Sequence, residues 1–293
     1  MEHQLWTAIL PHLVRLDQTP RPTRHTYSDG DILAVYLWAV LHDRTQAWAC
    51  DRHNWPIHRR RRPLPSESTL SKRLRTPSVV ALLAALFTTL TAPAGPGVFW
   101  MMDGKPLPVS GVSGDAGATW GRGAGGLACG YKLHVILDTP GDIAACEVTP
   151  MNVDERVVAQ RLLAAAQLQG YIVADANYDS NRLHDCCDAA GGRQLITPRR
   201  YARTARGTGH RVQSAGRLRC LELWGQPAPR WIDGLLEGRR EIERRFGTLV
   251  CTAGGLGPLP SWVRTLSRVD RWVRAKLLIH ALRRRLHTTT YDD

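Results

Sequence analysis

The segment NVDERVVAQRLLAAAQLQGYIVAD, residues 152–175, decides the fold class, because it passes from a helix into a buried strand. Asn152 is a typical helix cap, acids at 154 and 155 suit a first helical turn, and Gly170 is a typical helix stop. The following apolar run, YIVAD, predicts a buried strand. It ends in Asp175, and an acid at the edge of a buried strand requires solvent, a counter-charge or a bound metal.

Further strands are predicted upstream of this segment. The run VFWMMD, residues 98–103, is a short apolar strand that ends in Asp103. The runs ACGYKLHVILD and DIAACEVT flank the turn TPGD, residues 139–142, and predict a hairpin. The glycine-rich residues 111–126 are interpreted as a mobile loop, because no helix follows them directly as it would in a phosphate-binding loop.

Downstream, residues 180–192 predict a short helix, RQLITP another strand, and residues 235–250 a basic helix. The order strand, hairpin, helix, strand, helix, strand, helix predicts an α/β domain. Its mixed sheet would have antiparallel strands first and parallel strands after. This domain is predicted over residues 98–293, including a final helical segment.

The first 92 residues predict a separate all-helical domain, which ends at the linker TAPAGPG, residues 91–97. Its first helix has a predicted interruption at Pro11. The segment PSESTLSKRLR predicts a short helix capped by Ser66 or Ser68, and its basic residues are Lys72, Arg73 and Arg75. Such a helix fits a helix-turn-helix DNA-binding domain, and a solvated basic face on an ordinary bundle explains it equally well.

The net charge of +13 and the isoelectric point near 10 indicate a polyanionic partner, most simply nucleic acid. Only four of the 39 basic residues are lysines, and arginine suits bidentate phosphate contact. A GC-rich genome would explain the preference for arginine but explains the net excess less well. The run Arg59, Arg60, Arg61, Arg62 favours a phosphate tether. The N-terminus does not resemble a signal peptide, so a cytoplasmic location is expected.

Two strand-end acids and a helical glutamate would form an oxygen-ligand site suited to Mg²⁺ or Mn²⁺. The helix LLEGRREIERRFGTLV, residues 235–250, offers Glu237, Glu241 and Glu243. Helical periodicity slightly favours Glu243, because its neighbours include more apolar residues. Surface ion pairs at i,i+4 spacing, Glu241–Arg245 and Arg239–Glu243, remain an alternative for either glutamate.

At these residues the sequence resembles the DDE transposases of bacterial insertion sequences. The segments that carry the resemblance are MMDGKPLPV, GYKLHVILD, VTPMNVDE, VADANYDS, LITPRR and RREIERRFGTL. The likeness covers roughly residues 98–286, with 72 residues from Asp103 to Asp175 and 68 from Asp175 to Glu243. Many relatives have Tyr-x2-Arg-x3-Glu-x6-Lys around the last acid. Arg239 and Glu243 match, whereas Leu236 and Val250 depart from it and put the usual lysine contact to phosphate in doubt.

The resemblance implies an RNase H-like mixed sheet flanked by helices, with Asp103, Asp175 and Glu243 as the catalytic, metal-binding acids. It implies phosphodiester hydrolysis at transposon ends and attack of the freed 3′-hydroxyl on target DNA, with two Mg²⁺ or Mn²⁺ ions and a homodimer on double-stranded DNA. Asp179 is a runner-up for Asp175 but better suits a cap on the next helix. An RNase H-like nuclease without strand transfer and a catalytically silent DNA-binding descendant are the alternatives.

Several basic residues are candidates for DNA contact. Lys132 and His134 share one face of a strand. Their side chains either reach DNA or the active site, or they lie on a solvated strand face. Arg239 would contact phosphate or orient Glu243. The complete set is Arg59, Arg60, Arg61, Arg62, Lys72, Arg73, Arg75, Lys132, His134, Arg199, Arg200 and Arg239.

Overall fold

The computed structural model describes residues 2–17, 27–60, 63–109, 114–123, 125–197, 213–225, 230–251 and 255–289. The chain forms two compact units. The first comprises Met1–Ala92, Thr252–Leu256 and Arg271–Asp293, and the second comprises Pro93–Cys251 and Gly257–Asp270. The second unit therefore stops short of the predicted domain boundary at residue 293, because the last helical segment groups with the N-terminal helices.

The first unit is helical where it is described. Its helices are α1 (Glu2–Leu16), α2 (Asp29–Leu41), α3 (Gln46–Cys50), α4 (Glu67–Arg73) and α5 (Pro77–Thr91), with 3-10 turns at Arg52–Asn54 and Ile57–Arg59. The predicted interruption at Pro11 is wrong: α1 runs through it, because Leu5, Trp6, Ile9 and Leu13 on one face are all buried. Ser66, rather than Ser68, caps α4 by accepting from the Thr69 amide.

The C-terminal helix of the chain runs from Leu266 to Thr289 and crosses the division between the units. Within the first unit, the Lys276 ammonium pairs with Asp43, and the Arg271 guanidinium donates to the Leu74 carbonyl. These contacts explain why residues from 271 onward group with the N-terminal helices. No single helix in the described segments is long and apolar enough to cross a membrane; only α4 and α5 taken together, bent by 75°, would reach that length and hydropathy.

The second unit is built on one mixed sheet. Its strands are β1 (Phe99–Pro108), β2 (Thr119–Gly123), β3 (Gly126–Asp138), β4 (Ile143–Pro150), β5 (Gly170–Val173) and β6 (Arg193–Ile196). The order is β2-β3-β1-β5-β6, and β4 also pairs with β3. β3 is antiparallel to β1, β2 and β4, whereas β1, β5 and β6 are parallel. The predicted mixed sheet, antiparallel first and parallel after, is confirmed.

Helices cover both faces of this sheet. The helices that follow β4 in the chain are α6 (Glu155–Ala165), α7 (Asn181–Ala189), α8 (Ala215–Gly225) and α9 (Arg230–Cys251). Trp100, Met102 and Ile172 point to one face and pack with residues of α6 and α7. Phe99, Tyr171 and Val173 point to the other face and pack with Cys220 of α8 and with Leu235 and Leu236 of α9.

Two local expectations differ from the structure. β1 does not end at Asp103 but continues to Pro108, because residues 103–108 keep their antiparallel pairing with Val135 to Gly130 of β3. Part of the glycine-rich segment is a strand, β2, which pairs with the start of β3 from Thr119 to Gly123. Asp103 therefore lies in the middle of a strand, which gives its backbone a fixed position.

Candidate active site

The strand register brings Asp103 and Asp175 side by side. β1 and β5 are parallel, and their last pair is Met101 opposite Val173. Asp103 keeps the alternation of β1 and points to the face of Phe99. Asp175 lies two residues beyond the end of β5, at the start of a 3-10 turn, and is close enough to act on Asp103 electrostatically. The face of Phe99 is the one covered by α9, and it opens at the carboxyl end of β5, where parallel sheets place their sites.

The two carboxylates interact electrostatically. Burial, aided by the neighbouring Asp175 charge, raises the pKa of Asp103 to about 7, although the Gly104 amide and the charge of Arg239 oppose the rise. The Gly104 amide donates to Asp103 Oδ1 at 2.7 Å. Asp175 is held by its own turn, in which the Asn177 amide donates to Oδ1 at 2.8 Å. Asp103 is thus a carboxylate whose ionisation a cation would favour.

The third predicted acid, Glu243, lies on α9 and is ion-paired with Arg239, with Glu243 Oε1 3.2 Å from Arg239 Nη2. Its side chain is 63% exposed, so it is free to turn. The same Arg239 guanidinium lies near enough to Asp103 to lower its pKa. Arg239 therefore links the helical glutamate to the strand acids electrostatically.

Glu241 belongs to the opposite side of α9. Its carboxylate binds Arg245 Nε at 2.8 Å and Arg244 Nη2 at 3.0 Å, and Arg245 in turn donates to the Thr139 carbonyl just after β3. At 100° per residue, Glu243 lies on the same side as Leu236, which packs against the β5 and β6 residues Val173 and Ile196. Because the acids lie on β1 and β5, this side favours Glu243.

The donor set suits a hard divalent cation, because it consists of carboxylate oxygens and includes two half-buried carboxylates that act on each other electrostatically. Among the described residues, however, no three His, Cys, Asp or Glu side chains lie close enough together to hold a metal ion in this conformation. Asp103 and Asp175 are placed by the sheet, whereas Glu243 must leave Arg239 to join them. The three residues have the ligand chemistry that a divalent cation prefers, but the side chain of Glu243 is turned away from the other two.

A family comparison identifies the chain. Residues 95–250, more than half of the sequence, match the family described as the transposase DDE domain. The chain belongs to the DDE transposase family. No curated protein matches it. It is also similar to a cryo-EM structure of the piggyBac transposase synaptic complex with hairpin DNA, at 8% identity and a TM-score of 0.45 over 95% of this chain and 71% of that chain. At that score the two share too little for inference from one to the other.

Two predicted DNA contacts of the transposase are interior residues. Lys132 is 6% exposed, and its Nζ lies 2.5 Å from Glu155 Oε1. His134 is 1% exposed and shares a hydrogen bond of 3.0 Å with Thr149 Oγ1. Burial lowers the pKa of His134 to about 4, so it carries no charge at neutral pH. The strand face they share is therefore buried under α6 rather than open to phosphate.

The remaining basic residues predicted to contact DNA differ in how exposed their side chains are. Arg73 is committed to the fold, with its Nη2 2.5 Å from Asp29 Oδ1 and its side chain 14% exposed. Arg60 and Arg75 are exposed and donate to nearby backbone carbonyls, and Lys72 is exposed. Arg59 is half-buried. Arg61, Arg62, Arg199 and Arg200 lie outside the described residues.

The prediction that Asp179 caps the helix that follows it is wrong. The cap is Ser180, whose side chain accepts a hydrogen bond from the Leu183 amide. Asp179 instead pairs with Arg217 at 2.5 Å and with His184 at 3.2 Å, all of them deeply buried. Asp179 therefore has a structural role, and Asp175 is the better candidate for the second catalytic acid. Sequence reasoning missed the partner, Arg217, because it lies in a segment without a clear pattern.

Proposed function

We propose that this transposase cleaves DNA at the ends of its element and joins the freed 3′ ends to target DNA, using Asp103, Asp175 and Glu243. The observation that supports this most directly is the register that sets Asp103, on the face covered by α9, beside Asp175. The alternatives are a nuclease without strand transfer and a silent DNA-binding protein.

Two divalent ions, Mg²⁺ or Mn²⁺, bound by the three acids would activate the attacking oxygen and stabilise the leaving oxygen of an in-line displacement. Asp103, Asp175 and Glu243 would supply the carboxylate oxygens that hold these ions. Among these acids, only Glu243 must reorient, since Asp103 and Asp175 are fixed by β1 and by the turn at Asn177.

Arg239 has a role in this reorientation. In the structure its guanidinium compensates the charge of Glu243 and of Asp103. When Glu243 turns toward the strand acids, Arg239 loses this partner and becomes available to a phosphate oxygen. In this proposal the arginine keeps Glu243 ion-paired before DNA arrives and contacts the DNA backbone afterwards.

A strand-transfer assay tests the function. Short inverted repeats flanking the gene would supply the end substrate, offered pre-cleaved with a target plasmid and Mg²⁺. Joined product is expected from the wild type and none from Asp103→Ala, which should still bind the DNA. Cleavage without joining would support the nuclease, and binding without either reaction would support the silent protein.

DNA binding is predicted to depend on exposed basic side chains of the helical unit. Lys72→Ala and Arg75→Ala should each weaken duplex binding and reduce the slope of log affinity against log salt by about 1, because each removes one phosphate contact. Fluorescence anisotropy across a salt series measures this.

Arg73→Ala is the matched comparison, because Arg73 adjoins Lys72 on α4. It should instead destabilise the protein by about 3 kcal/mol, because it leaves the buried Asp29 carboxylate without its partner. A flat salt response in the wild type would remove the basis for reading the charge of +13 as a DNA surface.

We also propose that two copies act together on DNA, because joining both ends of an element at one target requires two centres. We further propose that the protein acts on bacterial DNA in the cytoplasm. Cross-linking in the presence and absence of paired ends tests the assembly, and a monomer on paired ends would contradict it.

A further inference from the structure

A buried polar group lies behind Asp103, on the sheet face opposite α9. It consists of Lys132 on β3, Glu155 at the first position of α6, and Tyr178 three residues after Asp175; we call these three residues the backing group. Lys132 Nζ is 2.5 Å from Glu155 Oε1. Lys132 and Tyr178 are 6% and 1% exposed, so bulk water has little access to their polar groups.

The backing group touches the strand that carries Asp103. A side-chain carbon added at Gly104 would lie 3.1 Å from Lys132 Cδ and 3.3 Å from Glu155 Oε1, so the ion pair is packed against the residue next to Asp103. The Glu155 charge also acts on Asp103, adding to the effects of burial and of Asp175. In the fold, Glu155 compensates the charge of the buried Lys132, whereas the helix cap is Asp154.

Tyr178 provides an independent observation. Its ring packs in the core with Met102 and Val158, but its hydroxyl is buried without a hydrogen-bond partner among the described residues. Burial raises the pKa of Tyr178, and the charges of Glu155, Asp103 and Asp175 follow as further causes. A buried hydroxyl without a partner is costly, and the carboxylate whose charge acts on it most strongly is Glu155.

We propose that Glu155 is a fourth carboxylate of the transposase centre, a positioning residue that Lys132 holds in place and that attracts the divalent cation to Asp103 and Asp175. Tyr178 donates to Glu155 when the cation is bound. Outer carboxylates and hydrogen-bond donors of this kind orient ligating acids in metal sites. The inference rests on the proposed cation-dependent function.

The ion pair allows a test in which either its negative or its positive member is removed and the effects on cation binding are compared. Glu155→Gln leaves the Lys132 cation alone behind the site, whereas Lys132→Met leaves the Glu155 anion alone. If the pair acts electrostatically on the site, the first change weakens cation binding and the second strengthens it. If the pair only supports the fold, both changes damage the same packing and both weaken binding.

The measurement is Mn²⁺ binding to the full chain without DNA, from the rise of Tm with Mn²⁺ concentration. We expect the Kd for Mn²⁺ to rise about tenfold in Glu155→Gln, to fall in Lys132→Met, and to lie between those two values in the double variant, which also removes the risk of an unpaired buried charge. Tyr178→Phe should raise the Kd while leaving the metal-free Tm unchanged or higher.

Glu147→Gln is the matched control, because Glu147 on β4 pairs with Arg161 on α6 at 2.5 Å in a more exposed position. It should not change Mn²⁺ binding. Equal Kd values for Glu155→Gln and Glu147→Gln, or a rise in Kd in both Glu155→Gln and Lys132→Met, would overturn the inference, as would a wild type that does not bind Mn²⁺. Strand transfer by the wild type, assayed separately, decides the proposed function whichever result is obtained.

Discussion

Glu243→Gln is expected to lower DNA cleavage by about a thousandfold or more, because a carboxylate that holds a catalytic cation supplies several kcal/mol of transition-state stabilisation. The substitution keeps the shape of the side chain and its hydrogen bond from Arg239. Because the side chain is 63% exposed, the metal-free protein should keep its stability. Cleavage of a labelled transposon end, with Tm and DNA affinity measured in parallel, checks all three expectations.

Glu241→Gln is the control for this prediction, two residues away on the same helix. Its carboxylate is engaged by Arg244 and Arg245 on the side that leads to Thr139. The variant should lose some stability and keep its cleavage rate within a few fold. If Glu241→Gln lost as much activity as Glu243→Gln, the side of α9 that faces the acids would be wrongly assigned.

The fold was predictable from sequence where the hydrophobic periodicity agrees with the positions of turn and helix-stop residues. The turn TPGD separates β3 from β4, and Gly170 marks the start of β5 after α6, so the order of elements follows from local signals. The mixed sheet then follows from that order. β2 was missed because its glycines at 121 and 123 suppress the strand pattern, and only its pairing with β3 makes it a strand.

The site was predictable in part. The strand acids could be named because an acid beside a buried strand requires an explanation, but their adjacency follows from the parallel register of β1 and β5, which no local pattern contains. The choice of Glu243 over Glu241 depended on the family resemblance. The burial of Lys132 depends on Glu155, 23 residues away, which sequence alone does not pair with it.

Asp103→Asn is expected to stabilise the metal-free protein at neutral pH. Since the folded pKa of Asp103 is raised to about 7, the unfolded chain releases this proton at lower pH than the folded chain. The wild type therefore loses stability as the pH rises from about 4 to about 7, and the full penalty is present above 7. At about 1.4 kcal/mol per unit, discounted for partial exposure, the gain of Asp103→Asn is on the order of 3 kcal/mol.

Denaturant unfolding of both proteins from pH 4 to pH 8 in chelator isolates this effect. The comparison matters because the buried His134, with its pKa lowered to about 4, makes both proteins less stable as the pH falls below about 6.5. The difference between the two proteins should therefore be near zero at pH 4 and largest above pH 7. Adding Mn²⁺ at pH 7.5 should then stabilise the wild type and leave Asp103→Asn almost unchanged, because the carboxylate that is costly without a cation is the one that binds it. A difference independent of pH would mean that Asp103 ionises normally and that burial does not strain it.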